Sequence, residues 1–137
     1  MPILRKIEQP NAPEGPTFTE AEVQAMQRAV INLFDRWQLT DEQASTLLGD
    51  IATRTYQRWK VKQYGRVSVD LAARLSNLLG VHKALRLLFT DANRGYGWIK
   101  RPNKDFGGET ALQIMLHGQL TDLMRVRRYL DAQRGSW

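Results

Sequence analysis

Where three of its apolar stretches begin, the chain sets a threonine three residues ahead of a glutamate or glutamine: Thr19 with Glu22, Thr40 with Gln43, and Thr110 with Gln113. In such a pair the threonine hydroxyl accepts a free N–H of the first helical turn, and the second side chain accepts the N–H of the threonine itself. With three helix starts written this way, and no run that alternates convincingly at period two, the chain is predicted to be all-α.

The apolar spacing places the helices. Val23, Met26, Val30, Phe34 and Trp37 share one face and predict a first helix over 20–37, with Phe18 and Val23 at the staple positions. Ala44, Leu47 and Leu48 face inward on a short second helix, which Gly49 ends in a left-handed conformation. A third helix is expected over 53–62. Ser68 opens a fourth, carrying Leu71, Leu75, Leu78 and Leu79 and stopped by Gly80, and a fifth runs over 81–89. Residues 90–109 hold Gly95, Gly97, Gly107 and Gly108 with Asn93, Pro102 and Asn103, the composition of a long loop. Loops of that length in a small domain are often functional. Thr110 starts a short helix ending near Gly118, and Leu120, Leu123, Met124 and Leu130 define a last helix to about Arg134. Pro2, Pro10, Pro13 and Pro16 mark residues 1–17 as a flexible arm. The expected organisation is an arm over 1–17, one helical domain over 18–89 and a smaller one over 90–137.

Charge is unevenly distributed. Lysines and arginines number 20 against 14 acids, a formal charge of +6. Residues 51–69 contain no acid and carry Arg54, Arg58, Lys60, Lys62 and Arg66. A solvated helix face mixes signs, so a cationic run of this kind suits a surface that lies against phosphates. The glycine turn after the second helix and the short third helix together have the form of a helix-turn-helix, whose second helix enters the major groove. Ala52, Tyr56 and Trp59 share one face of that helix and are expected to pack, although the two aromatics are also able to stack on nucleic acid. Thr53, Arg54, Gln57 and Arg58 are the base-reading candidates, since arginine presents two donors to guanine and glutamine bridges adenine. Lys60, Lys62 and Arg66 are the phosphate-contact candidates.

The second half exceeds what a DNA reader needs. Its last helix is basic through Arg125, Arg127, Arg128 and Arg134, and Tyr96, Trp98 and Phe106 punctuate the glycine-rich loop. Aromatics beside arginines are favoured at interface hot spots, and they also serve to anchor a loop onto a core. The composition excludes much else. Without cysteine there is no disulfide framework, thiol nucleophile or thiolate metal site, and an intracellular home is favoured. No apolar run is long enough to span a bilayer, and no secretory signal follows Arg5 and Lys6. His82 and His117 fall on different helices, and neither a metal motif nor a phosphate loop is present. A non-enzymatic binding protein without cofactor or metal is expected.

The segments Gly97-Trp98-Ile99, Pro102-Asn103, Phe106-Gly107-Gly108-Glu109-Thr110-Ala111-Leu112, Gly118 and Val126-Arg127-Arg128-Tyr129-Leu130 resemble the C-terminal toxin-binding domain of Xre/MbcA/ParS-type antitoxins. Upstream, Leu47-Leu48-Gly49 with Thr55-Tyr56-Gln57-Arg58-Trp59 is similar to their Xre-type DNA-binding half. The resemblance covers roughly residues 20–134 and departs at Ala111, where the family pattern often has proline. It implies an Xre-type helix-turn-helix bundle followed by a small helical toxin-binding domain, in a cytoplasmic bacterial antitoxin. The partner it implies is a RES-domain toxin that consumes NAD and whose cleft the antitoxin covers, while the complex represses its own promoter. Trp98, Asn103, Phe106, Arg125, Arg128, Tyr129, Arg134 and Trp137 are then the expected toxin contacts. A homodimer on paired operator half-sites is expected. The alternative reading is a stand-alone helix-turn-helix regulator with a C-terminal interaction domain.

Overall fold

A computed structural model describes residues 17–135, so the expected arm, Thr17 excepted, and Trp137 lie outside the described residues. Among the described residues seven α-helices follow one another: α1 Glu20–Arg36, α2 Asp41–Leu47, α3 Thr53–Lys60, α4 Val69–Leu88, α5 Ala92–Gly97, α6 Ala111–Met115 and α7 Leu120–Gly135. Two 3-10 turns, Trp98–Lys100 and Lys104–Phe106, stand between α5 and α6. There is no strand among the described residues, and β pairing is confined to a bridge between Pro102 and Thr110. The fold is all-α, as the sequence predicts.

All three capping boxes form, at Thr19 with Glu22, Thr40 with Gln43 and Thr110 with Gln113. Each cap of this type contributes about 1 kcal/mol. Side chains from both halves meet in one core: Val30 and Phe34 of α1 with its C-cap Trp37, Leu47 of α2, Trp59 of α3, Leu75, Leu78 and Val81 of α4, Met115 of α6, and Leu123, Val126 and Leu130 of α7. Helix α4 is the shared element, with α1 and α7 both packed on it.

Two expectations change. Helix α4 does not stop at Gly80 but runs through it to Leu88. The glycine is a window for a crossing side chain: a Cβ there would lie 2.4 Å from Arg127 Nε. Arg127 reaches across from α7 and donates from Nη1 to Asn77 Oδ1 at 3.4 Å. Nor are residues 90–109 a structureless loop. They wind through α5 and the two 3-10 turns, and Ile99 and Phe106 are 0% and 5% exposed. The 3-10 segment closes on itself, with Asn103 N donating to Glu109 O and Gly108 N to Asn103 O, both at 3.0 Å. Helices this short carry no periodicity for a sequence to display.

The α2–α3 turn is built around Gly49, whose φ is +87°. Beneath it runs the buried Arg74, which donates from Nε to Asp70 Oδ2 at 3.0 Å and from Nη1 to Leu47 O at 3.4 Å. A Cβ on Gly49 would lie 2.9 Å from Arg74 Nε. The Ser45 hydroxyl donates to the Ile51 carbonyl and closes the turn. Gly49→Ala is therefore expected to destabilise the fold by about 1–3 kcal/mol through left-handed strain. Chemical denaturation checks this, and unchanged stability would mean that the turn relaxes freely.

Candidate DNA-reading and partner-binding surfaces

Helix α3 is divided lengthwise. Tyr56 and Trp59 are buried, 3% and 1% exposed, against Phe34 and each other, with ring centroids 6.0 and 6.2 Å apart. Burial pushes the Tyr56 phenol well above its ordinary pKa, the more so for the Asp41 and Asp35 charges nearby. These aromatics are core, so stacking on nucleic acid is closed to them. Ala52, expected to pack with them, is instead the exposed N-cap residue, because the helix begins only at Thr53. Arg54, Gln57 and Arg58 are exposed on the opposite side, with Thr53 half-buried at the first turn.

The segment after α3 is fastened in place. Lys62 takes a left-handed φ of +69° beyond the end of the helix, and its N–H donates to Trp59 O at 2.9 Å. Gln27, buried in α1, donates from Nε2 to Tyr64 O at 3.2 Å. Lys60 at the end of α3, and Lys62 and Arg66 in the segment after it, are all exposed.

One carboxylate invades this face from another helix. Asp41, at the first position of α2, accepts from Lys60 Nζ at 2.6 Å and from Gln57 Nε2 at 3.1 Å. The Lys60 ammonium, and then the Gln57 amide, hold its carboxyl below the usual carboxylate range. The tether is therefore present at neutral pH and lost only as pH falls through that depressed value. Sequence reasoning missed Asp41 because it lies 16 and 19 positions from its partners. Asp41→Asn is expected to release Lys60, raise affinity for random-sequence duplex about 3- to 10-fold and steepen the salt slope by about one. Titration of one non-operator duplex across several salt concentrations measures both, and an unchanged slope would show that Lys60 reaches no phosphate.

A second surface forms on the other half. Trp98 stacks on Tyr129 at 6.1 Å, Phe106 lies 4.9 Å from Tyr129, and the Arg125 guanidinium sits 5.3 Å over the Phe106 ring. The Tyr129 hydroxyl donates to Asp105 Oδ2 at 2.7 Å. The Asn103 amide favours its phenolate, but partial burial and the Asp105 carboxylate outweigh this and hold the phenol above its ordinary pKa. Trp98 and Tyr129 are half-buried, whereas Phe106 is turned inward and anchors the segment rather than standing at the surface. Asn103 accepts from Asp105 N at 2.8 Å and is also partly exposed. Arg125, one turn before Tyr129, and Arg128, its immediate neighbour, are exposed, and Arg134 pairs with Asp131 at 3.2 Å.

Beside Trp98 and Asn103 opens a groove of about 380 Å³, also lined by Phe89, Arg94, Arg101, Pro102 and Lys104. Its cations were invisible as a group because they are spread through a segment read as loop. The histidines take no part in either surface. His82 stacks on Tyr96 at 5.8 Å and burial lowers its pKa, with Arg86 adding to the effect. His117 lies 3.6 Å from Glu109 and 4.0 Å from Asp122. Among the described residues no group of three or more histidines and acids is placed to hold a metal.

Residues 20–80 match the family model of the antitoxin Xre-like helix-turn-helix domain. Residues 84–135 match that of the antitoxin Xre/MbcA/ParS C-terminal toxin-binding domain. The chain belongs to the Xre/MbcA/ParS-type antitoxins. Uncharacterized protein y4oB of Sinorhizobium fredii (strain NBRC 101917 / NGR234) is 44% identical to the antitoxin over 121 residues, 88% of this chain and 93% of that protein. The antitoxin combines a DNA-binding helix-turn-helix with a toxin-binding part, and residues 81–83, between the two matches, lie inside α4. No helix among its described residues is long and apolar enough to cross a membrane.

Proposed function

We propose that this antitoxin neutralises a RES-type, NAD-consuming toxin by covering its active site with residues 90–137, and represses its own operon through residues 18–89. The observation that carries the reading is the separation of two surfaces: the exposed cations of α3, and the aromatic-arginine surface around Trp98 and Tyr129. Thr53, Arg54, Gln57 and Arg58 read base edges in the major groove, and Lys60, Lys62 and Arg66 hold phosphates. Two antitoxin copies place two α3 helices on paired half-sites. Trp98, Asn103, Arg125, Arg128, Tyr129 and Arg134 contact the toxin, with Phe106 as their support, and Trp137 joins them from outside the described residues. The protein acts by binding alone, in the cytoplasm.

Co-expression with the product of the adjacent gene, followed by co-purification and an NAD-consumption assay, tests the reading. A stable complex that consumes no NAD, beside free toxin that does, is the expected result. A chain that binds the promoter duplex but forms no such complex is instead a stand-alone regulator.

A further inference from the structure

The groove beside Trp98 gathers positive charge without an acid to balance it. The guanidiniums of Arg94 and Arg101 sit 5.9 and 5.8 Å from the centre of the same Phe89 ring, and Arg101 Nη2 is held at 2.9 Å by the Arg94 carbonyl. Lys104 lines the same cavity. None of the three cations forms an ion pair among the described residues. The acids nearest in sequence are engaged elsewhere: Asp91 accepts from Asn93 N, and Asp105 accepts from the Tyr129 hydroxyl. Like charges brought together on an aromatic floor repel one another until an anion joins them, and two guanidiniums offer paired donors to a carboxylate.

We propose that this groove is a carboxylate-binding site that seats an acidic segment of the toxin, with one acid between Arg94, Arg101 and Lys104 and a neighbouring apolar side chain on Trp98. The identity of the partner rests on the function proposed above; the chemistry of the site does not. The cavity suits one or two side chains, since small-ligand pockets begin at about 300 Å³. Its position favours a protein over DNA. Trp98 belongs to both the groove and the aromatic surface packed on Tyr129, so the two are continuous. At about 1.5 Å of rise per residue, the end of α4 at Leu88, next to Phe89, lies about 21 Å from Arg74, which underpins the α2–α3 turn.

Two measurements on the full chain test the proposal. In the first, free antitoxin is titrated with the blocked peptide Glu-Trp-Glu and with Gln-Trp-Gln, following the Trp98 indole N–H resonance, assigned by its loss in W98F. The acidic peptide is expected to shift it and to bind about tenfold more tightly than the amide peptide or than it binds R94A/R101A. Equal affinity for both peptides, or no shift at Trp98, overturns the site. In the second, the toxin complex is treated with a carbodiimide, which joins an amine to a carboxylate in direct contact. A cross-link from Lys104 to a toxin aspartate or glutamate, lost in K104R while the complex persists, is the expected result. A complex with no such link, and unweakened in R94A/R101A, overturns the assignment. R94A/R101A that loses operator affinity but holds the toxin makes the groove a DNA contact and likewise overturns it. If no toxin complex forms, the proposed function fails and the peptide titration still decides the groove.

Discussion

The double variant R54A/R58A binds the operator duplex more weakly by about 2–6 kcal/mol, since each base-reading arginine is worth about 1–3 kcal/mol. Both side chains are exposed on α3, and no ion pair among the described residues holds either one. Their removal therefore opens no cavity and strands no buried partner, and the melting temperature stays within a degree or two of the parent, as for surface changes generally. Toxin neutralisation is unchanged, because neither residue adjoins the Trp98–Tyr129 surface. Anisotropy titration at one fixed salt concentration, against operator and scrambled duplex in parallel, is the decisive measurement. The loss should fall mainly on the operator, because base contacts specify while phosphate contacts only position. An equal loss on both duplexes would move the two arginines to the phosphate backbone.

On the reverse of the same helix the expected effect is on folding. Trp59→Ala costs about 3–5 kcal/mol, the range for emptying a fully buried large aromatic site. Domains of this kind are stable by about 5–15 kcal/mol in all, so the loss takes a large share of the total and, from a parent near the lower end, leaves the variant close to unfolded. Trp59 is 1% exposed and packs on Tyr56, which in turn meets Phe34 of α1. Its indole Nε1 is buried without a hydrogen-bond partner among the described residues. Trp59→Phe removes that unsatisfied donor along with part of the ring, and loses less, about 1–2 kcal/mol. Urea denaturation ranks the three proteins. An alanine variant as stable as the parent would show that α1 and α3 repack around the void.

What the sequence disclosed was local or periodic. The capping pairs at Thr19, Thr40 and Thr110 lie within one turn of helix, and the α1 stripe from Val23 to Trp37 repeats with the helical period; all are in the fold. Gly49 reads as a helix stop and is one, whereas Gly80 reads the same way and is not. A glycine after an apolar run is the same signal whether the chain turns left-handed or admits a side chain from another helix. Only Arg127, 47 positions away, tells the two apart. The acid-free run over 51–69 marked the cations of α3, but Asp41, which holds two of that helix's polar side chains, arrives through tertiary contact. Likewise Arg94, Arg101 and Lys104 meet only because α5 and the 3-10 turns bend residues 90–109 around Phe89.

Helix α4 contributes Leu75 and Leu78 to a core that also contains Trp59 and Leu123, and no linker separates the two matched regions. Melting then proceeds as a single transition, and amide exchange in α3 and α7 is limited by the same global opening. Residues 81–83 lie inside α4, so a protease finds no loop there at which to part the two regions. A break inside α4 is accordingly expected to unfold the DNA-binding and the toxin-binding regions together.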